Sequence, residues 1–141
     1  MMKSSAKRAP PARAPARPAR TSAAAARSDE LDEVFGVVAR YFGLLSEPTR
    51  LKILHAVCQD ERSVSAIVAA TGATQTNVSR HLGLLHAAGV VSRRRDGSSV
   101  HYRVADAVFV EICRSACVRI AARIDAQSPL AGELLDYARN S

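Results

Sequence analysis

The distribution of apolar and polar positions divides the chain into helical segments and one β-hairpin. Apolar residues recur at helical spacing in five stretches, which are residues 29–45, 48–58, 63–72, 74–89 and 106–125. Between Val90 and Val104 the period changes, because apolar and polar residues alternate on both sides of Asp96-Gly97, a pair typical of a hairpin turn. Ser128-Pro129 predicts a short last helix. The pattern therefore predicts a mainly α-helical fold with one small β-hairpin.

Two of these helices are joined by a tight turn. Residues 63–72 read as a short helix ended by Gly72, and residues 74–89 read as a second helix with Thr74 as its N-cap and Gly89 as its stop. Two helices joined in this way and followed by a hairpin form a winged helix-turn-helix. We therefore expect double-stranded DNA as the partner.

The second of these helices has two distinct faces. Val78, Leu82 and Leu85 recur at positions i, i+4 and i+7, so they should pack on the core. Polar side chains concentrate in the first two turns, where a helix in the major groove touches base edges. The predicted DNA-reading residues are Thr74, Gln75, Thr76, Asn77, Ser79 and Arg80. The alternative is an amphipathic helix whose polar side only faces water.

The hairpin carries a cluster of positive charge. Arg93, Arg94 and Arg95 lead into its turn and Arg103 follows it. Four guanidinium groups on one ribbon are placed to bind phosphates beside the groove or to enter the minor groove. The alternative is a solvated charged surface without a partner.

Charge is distributed unevenly along the chain. Of the net charge of +7, residues 1–28 supply seven Lys or Arg and no acidic residue, whereas residues 29–141 balance to zero. This first segment is rich in Ala, Pro and Arg, which predicts a disordered basic arm that adds salt-sensitive DNA affinity. The alternative is a solvated extension of no consequence. The chain has no apolar run long enough to cross a membrane, so no membrane partner is expected.

The expected organisation has three parts. The arm covers residues 1–28, a DNA-binding and dimerisation domain covers 29–127, and a short C-terminal helix covers 128–141. The first helix and the long helix after the hairpin carry more apolar surface than so small a domain can cover. A second copy would bury it across a twofold axis, which predicts a homodimer on a palindromic operator. The alternative is that both helices pack within one chain.

Several segments resemble the ArsR/SmtB family of bacterial repressors. The matching residues are Leu44–Leu54, Ser63-Val64, Thr76–Leu82, Leu85, Gly89–Val91 and Tyr102–Val104. The resemblance covers about residues 31–125 and implies a homodimeric winged-helix repressor of the bacterial cytoplasm and nucleoid, released from its operator by an inducer. His81 matches a family position in the recognition helix, where it is either structural or DNA-facing.

The known metal sites of that family do not carry over. Members that bind soft metals through Cys-x-Cys have it on the helix before the turn, but Ser63–Ile67 contains no cysteine. Other members bind zinc or nickel through Asp and His on the last long helix, and residues 105–141 contain no histidine. The inducer must be sought among other residues.

Three cysteines are the candidates for sensing. Cys113 and Cys117 are four residues apart, so they share one helix face with Cβ atoms about 6 Å apart. With Cys58 as a third ligand, three sulfurs without imidazole suit trivalent arsenic or antimony better than zinc. Thiol oxidation or sulfide and persulfide sensing, with Cys58 paired to Cys113 or Cys117, is the alternative. Inert packing of the three side chains in the core is another.

No enzymatic site is recognisable in the sequence. There is no Gly-rich phosphate loop, no catalytic triad and no pair of catalytic carboxylates. We therefore predict that the chain is not an enzyme. The remaining class is an architectural DNA-binding protein that senses no effector.

Overall fold

The structure is a computed structural model that describes residues 9–14 and 20–141. Its elements, in chain order, are α1 (Arg20–Gly43), α2 (Pro48–Val57), β1 (Arg62–Ser63), α3 (Val64–Thr71), α4 (Gln75–Ala87), β2 (Val91–Asp96), β3 (Ser99–Val104), α5 (Ala107–Ala121) and α6 (Pro129–Arg139). The described residues fall into two units, one reaching Val37 and the other running from Val38 to Ser141. Within the described part of the chain, no helix is both long and apolar enough to span a membrane.

Helix α1 begins earlier than the sequence predicts. Its first residue is Arg20, so α1 includes residues 20–28, for which the sequence predicts disorder. Four consecutive alanines, Ala23–Ala26, follow the last proline of the arm, and alanine is the strongest helix former. Residues 9–14 form no regular element. The rest of the predicted arm lies outside the described residues.

The helix-turn-helix is confirmed, and local signals explain where its helices begin and end. The Ser63 hydroxyl accepts a hydrogen bond from the backbone of Ala66 at the start of α3, and Gly72 ends that helix with a φ of 68°. A left-handed residue at this position favours glycine. Thr74 caps α4 by accepting from the backbone N–H of Asn77 at 3.2 Å. Only three residues therefore separate the two helices.

The wing contains one strand more than predicted. The sheet is antiparallel in the order β1-β3-β2, so the two-residue strand β1 pairs with β3 on the side opposite β2. The predicted hairpin turn is present, with Gly97 at a φ of 60°. A strand of two residues has no periodicity, which is why the sequence did not indicate it.

The second unit has a hydrophobic core. It is formed by buried side chains from α2, α3, α4, the wing and α5, namely Ile53, Leu54, Val57, Ile67, Val78, Leu82, Leu85, Val90, Val91, Tyr102 and Phe109. The predicted inward face of α4 is thus confirmed. The ring centroids of Phe109 and Tyr41 are 4.3 Å apart, and this contact packs the start of α5 against the end of α1. The fold is a winged helix-turn-helix with an additional helix, α6, packed on α5.

Candidate nucleic-acid interface and thiol pocket

The polar face of α4 is free to meet a ligand. Thr74, Gln75, Thr76, Ser79 and Arg80 are exposed, and Asn77 is partly buried. Arg80 Nη2 donates to Asn77 Oδ1 at 3.0 Å, which orders the guanidinium on the helix surface. These are the donors and acceptors that read base edges when a helix lies in the major groove.

His81 does not belong to this face. It is 1% exposed, so the DNA-facing role left open for it does not fit, and the structural role does. Its Nε2 lies 3.3 Å from a carboxylate oxygen of Glu47 and 3.0 Å from Arg80 Nη2. Its Nδ1 lies 3.4 Å from Arg50 Nη1. A neutral imidazole with its proton on Nε2 accepts from Arg50 at Nδ1 and donates to Glu47, whereas one with its proton on Nδ1 accepts from Arg80 at Nε2 instead.

Arg50 connects the recognition helix to the end of α1. Its Nε donates to the carbonyl oxygen of Leu44 at 2.7 Å, and its Nη2 donates to that of Gly43 at 2.8 Å. The same side chain reaches His81 on α4. We did not predict this contact. The available signal was a charged residue among the apolar positions of α2.

The electrostatics of this cluster favour a neutral histidine. Burial lowers the pKa of His81, and the positive charges of Arg80 and Arg50 lower it further, against the opposing effect of Glu47. Burial raises the pKa of Glu47, but hydrogen bonds from the backbone of Thr49 and Arg50 outweigh it, so the pKa is lowered overall. The cluster thus holds an ionised carboxylate beside an uncharged imidazole.

The arginines of the wing are shared between two faces of the hairpin. In the β2–β3 register Arg93 pairs with Tyr102 and Arg95 with Val100, whereas Arg94 pairs with His101. Ser92, one residue before Arg93, pairs with Arg103. Because successive side chains of a strand point to opposite faces and cross-strand partners share one, Arg93 and Arg95 lie on one face and Arg94 and Arg103 on the other. The hairpin does not present all four in a single patch.

Arg94 is already engaged by acidic groups. Its Nη2 donates to Glu61 Oε2 at 2.8 Å and its Nε to Glu61 Oε1 at 3.2 Å. Its Nη1 also lies 3.5 Å from a carboxylate oxygen of Asp96. The hydrogen bonds and charge of Glu61 raise the pKa of Arg94, and those of Arg94 lower the pKa of Glu61. Of the four predicted phosphate ligands, Arg94 is therefore the one whose positive charge is most neutralised by nearby carboxylates.

Cys113 and Cys117 open into one apolar pocket. Cys113 is buried and Cys117 partly buried, and both line a cavity of about 740 Å³ between α5, α6 and the start of α2. Its apolar wall includes Leu51, Ile112, Ile120, Leu130 and Leu134. The predicted shared face of the two thiols therefore leads into a space of the size that small molecules occupy.

Cys58 lies on a different cleft. It lines a polar depression beside the wing, and its Sγ donates to the carbonyl oxygen of His55 at 3.0 Å. Among the described residues, no three or more His, Cys, Asp or Glu side chains are arranged to hold a metal ion. The predicted three-sulfur site is therefore not formed. All three cysteines are free thiols.

The thiols are uncharged at neutral pH. Burial raises the pKa of Cys58 and of Cys117, and burial together with the neighbouring Cys117 raises the pKa of Cys113. A ligand for these groups must react with neutral thiols or remove their protons.

Hydrogen bonds and one ring contact hold the C-terminal end of α6 beside the pocket. Arg114 on α5 donates to the carbonyl oxygens of Ala138, at 3.1 Å, and of Ser141. The amide of Gln59, just after α2, donates to the carbonyl oxygen of Asn140 at 2.7 Å. The ring of Tyr137 stacks on His55 with centroids 4.5 Å apart. These contacts hold α6 against both α5 and α2.

Comparison with known proteins agrees with this geometry. A sequence profile described as "Bacterial regulatory protein, arsR family" matches residues 47–93. A probable mercury resistance operon repressor of Streptomyces lividans is 39% identical over 98 residues, which cover 67% of this chain and 78% of that protein.

Solved structures show the same architecture. The crystal structure of NolR from Sinorhizobium fredii superposes with a TM-score of 0.60 at 30% identity, over 64% of this chain and 90% of NolR. The homodimeric winged helix-turn-helix DNA-binding domain of Mb0332 from Mycobacterium bovis gives 0.54 at 35% identity, over 67% and 86% of the two chains.

The fold and the exposed recognition helix define a DNA-binding transcriptional regulator of the winged helix-turn-helix class. Within that class, the chain belongs to the arsR family of bacterial regulatory proteins. The resemblance seen in the sequence is thereby confirmed, as is the prediction that the protein is a regulator and not an enzyme.

Proposed function

We propose that this protein is a homodimeric repressor that leaves a palindromic operator when a soft, thiol-binding inducer reacts with Cys113 and Cys117. The observation that carries the proposal is the pair of thiols on one face of α5, opening into a single pocket of a DNA-binding fold. The name of the Streptomyces lividans relative, a probable mercury resistance operon repressor, supports a soft inducer.

Exposed apolar side chains support the dimer. On α1, Leu31 is 54% and Phe35 is 64% exposed, and on α5 Val108 and Val118 are also exposed. A second copy related by a twofold axis would bury these surfaces. The homodimeric domain of Mb0332 supports the same assembly. Two recognition helices about 34 Å apart would then meet successive major grooves, which is why the operator should be palindromic.

Binding to DNA is assigned to two elements. The start of α4 would read bases through Thr74, Gln75, Thr76, Asn77, Ser79 and Arg80. The wing would bind phosphates through Arg93, Arg95 and Arg103, with a smaller contribution from Arg94. His81 would hold α4 in position from beneath.

A connection between α5 and the DNA-reading elements supports release by an inducer. The backbone N–H groups of Ala105 and Asp106, just before α5, both donate to the carbonyl oxygen of Val90, at 2.9 and 3.2 Å. Val90 lies between α4 and β2. A displacement of α5 would therefore move the recognition helix and wing without removing any DNA contact. A coupling of about 1–3 kcal/mol, or roughly 5- to 150-fold in affinity, is typical of such linkage.

Release from a selected operator tests the proposal. The operator is first obtained by selection from random duplexes, and fluorescence anisotropy then follows its complex with the full chain. We expect arsenite, antimonite or mercuric ion to dissociate the complex. The double variant Cys113→Ser with Cys117→Ser should bind the operator as before and resist release, whereas Cys58→Ser should behave like the natural chain.

Other results would contradict the proposal in distinct ways. Release of the double variant by the same ions would show that Cys113 and Cys117 are not the sensing groups. Release by peroxide or polysulfide alone would indicate a redox sensor. A chain that selects no preferred sequence and responds to no effector would be an architectural DNA-binding protein.

A further inference from the structure

The Nε2 atom of His81 faces two partners that make opposite demands on it. Arg80 Nη2 lies 3.0 Å away and can only donate a hydrogen bond. A carboxylate oxygen of Glu47 lies 3.3 Å away and, while Glu47 is ionised, can only accept one. One ring nitrogen cannot accept from Arg80 and donate to Glu47 together. Through Nε2, His81 therefore satisfies one of these two groups at a time.

Of the two partners at Nε2, Arg80 is the one placed to leave. Arg80 is exposed on α4, and besides His81 its guanidinium contacts Asn77 Oδ1 at 3.0 Å. Glu47 is held in place because its side chain caps α2, accepting from the backbone N–H of Arg50 at 3.0 Å. Arg50 is held as well, since it donates to two backbone carbonyl oxygens near the end of α1. Movement of Arg80 would thus leave the rest of the cluster in position.

We infer that Arg80 has two positions and that His81 changes its partner when Arg80 moves between them. In the free chain, and on duplexes without a matching base, the guanidinium of Arg80 lies against His81 Nε2. On the operator it enters the major groove, and His81 takes up a proton and donates from Nε2 to Glu47. The inference rests on the proposed function, in which Arg80 reads a base. It makes His81 a positioning residue that holds Arg80 until a matching base replaces it.

The charges around His81 explain why it takes up the proton when Arg80 leaves. Burial lowers the pKa of His81, the positive charges of Arg80 and Arg50 lower it further, and Glu47 opposes them. Departure of Arg80 removes one of the two positive charges, while Arg50 and Glu47 stay. The pKa of His81 therefore rises on the operator.

The other elements packed on α4 bring little charge to this place. Helix α3 contains no ionisable side chain, and β2 begins with the uncharged residues Val91 and Ser92. The charged groups of β2 follow from Arg93 onwards. The exchange at His81 is thus governed by the charges of α2, of its cap and of α4.

Proton uptake gives operator binding a definite pH dependence. In the free chain the pKa of His81 lies below 6.5, and in the operator complex it is higher, so the complex binds more protons as pH falls below about 6.5. Affinity for the operator must therefore rise with acidification in this range. Glu47, whose pKa is lowered from 4.5, stays ionised there and accepts from the protonated ring.

The direct test is the pKa of His81, measured by NMR of its ring in the full chain alone, with the selected operator and with a random duplex. We expect the operator to raise this pKa more than the random duplex does. In the free variant Arg80→Ala the pKa should already be higher than in the natural chain, because the positive charge is absent. The operator should then raise it no more than random DNA does. A purely structural His81 would give the same pKa on both kinds of DNA.

Fluorescence anisotropy gives a second readout, the ratio of operator affinity to random-duplex affinity, from which general effects of pH on DNA binding cancel. For the natural chain this ratio should increase at least about threefold between about pH 7.5 and 5.5. His81→Gln cannot take up the proton and should show no increase, whereas His86→Gln, exposed on the same helix, should keep it. Should His81→Gln fail to fold, the surface variant Arg80→Ala replaces it and should also lose the increase.

Failure of this inference can be told apart from failure of the proposed function. A pKa of His81 that is unchanged on the operator, or that rises equally on random DNA, would overturn the inference and leave base reading by Arg80 standing. If the chain prefers no sequence, or if Arg80→Ala weakens binding to operator and random DNA alike, base reading by Arg80 fails and this inference fails with it.

Discussion

The guanidinium of Arg94 and the carboxylate of Glu61 form a two-pronged ion pair, with contacts of 2.8 and 3.2 Å. Arg94 lies on β2 and Glu61 just before β1, so the pair links the two outer strands of the sheet across the central strand β3. A phosphate that approaches this arginine must compete with a carboxylate that already faces it. The pair therefore limits the charge that the wing offers to DNA.

Neutralising Glu61 should strengthen DNA binding. Glu61→Gln removes the closer of the two carboxylate charges that face Arg94 and leaves only Asp96. Arg94 should then bind one more phosphate, so affinity for all duplexes should rise and the slope of log K against log salt should steepen by about 0.9. Fluorescence anisotropy at a series of salt concentrations measures both quantities. Asp60→Asn, which removes one negative charge from the neighbouring position, is the matched control. Equal slopes for the two variants would mean that Arg94 does not reach a phosphate.

Base reading should depend on the exposed start of α4. Replacing Gln75 or Arg80 by alanine should cost about 1–3 kcal/mol on the selected operator and less on random duplexes, because only the operator offers matching base edges. Lys52→Ala, on the exposed surface of α2, removes a positive charge elsewhere and serves as the control. Equal losses on both kinds of DNA would show that these side chains do not discriminate between sequences.

Stability should fall in mildly acidic solution because of His81. Its pKa is lowered from 6.5 in the folded chain, so below about that pH the unfolded chain binds a proton more readily than the folded one. Stability is therefore lost as pH falls from 6.5 towards the folded pKa. Glu47 affects stability only at lower pH, because its stabilising effect is lost as pH falls below 4.5, the ordinary pKa of the group.

Thermal unfolding between about pH 7.5 and 5.5 measures the effect of His81, because this range includes 6.5 and stays above 4.5. His81→Gln cannot take up the proton, so its unfolding temperature should vary less with pH than that of the natural chain. His86→Gln, at the exposed end of the same helix, is the control. An identical pH dependence in the natural chain and His81→Gln would show that protonation of His81 does not limit stability.

The basic arm should contribute to binding without sequence preference. Deleting residues 2–19 removes five Lys or Arg and spares α1, which begins at Arg20. Affinity for operator and random DNA should fall alike, and the salt slope should flatten by about 0.9 for each lost phosphate contact. An unchanged slope would mean that the arm does not touch DNA.

Much of the fold was predictable because its signals are local. Gly72 and the Thr74 cap mark the turn between α3 and α4, and Asp96-Gly97 marks the hairpin, so each element can be identified without knowledge of its neighbours. The inward face of α4 follows from its periodicity alone. The polar residues of the recognition helix were found for the same reason.

Two features of the fold could not be predicted from local patterns. Strand β1 has two residues, too few to show alternation, and only its pairing with Tyr102 and His101 defines it. The beginning of α1 was missed because a proline-rich, basic composition concealed a run of alanines with strong helix propensity.

The sequence by itself therefore determined the class of protein, the reading helix and the candidate thiols, since these depend on spacing within single elements. The tertiary structure decided which side chains meet. It buried His81 beside Arg50, compensated Arg94 with Glu61, and placed Cys58 on a different cleft from Cys113. Such contacts join residues far apart in the chain, and they exist only because packing of the common core fixes the distances between separate helices and strands.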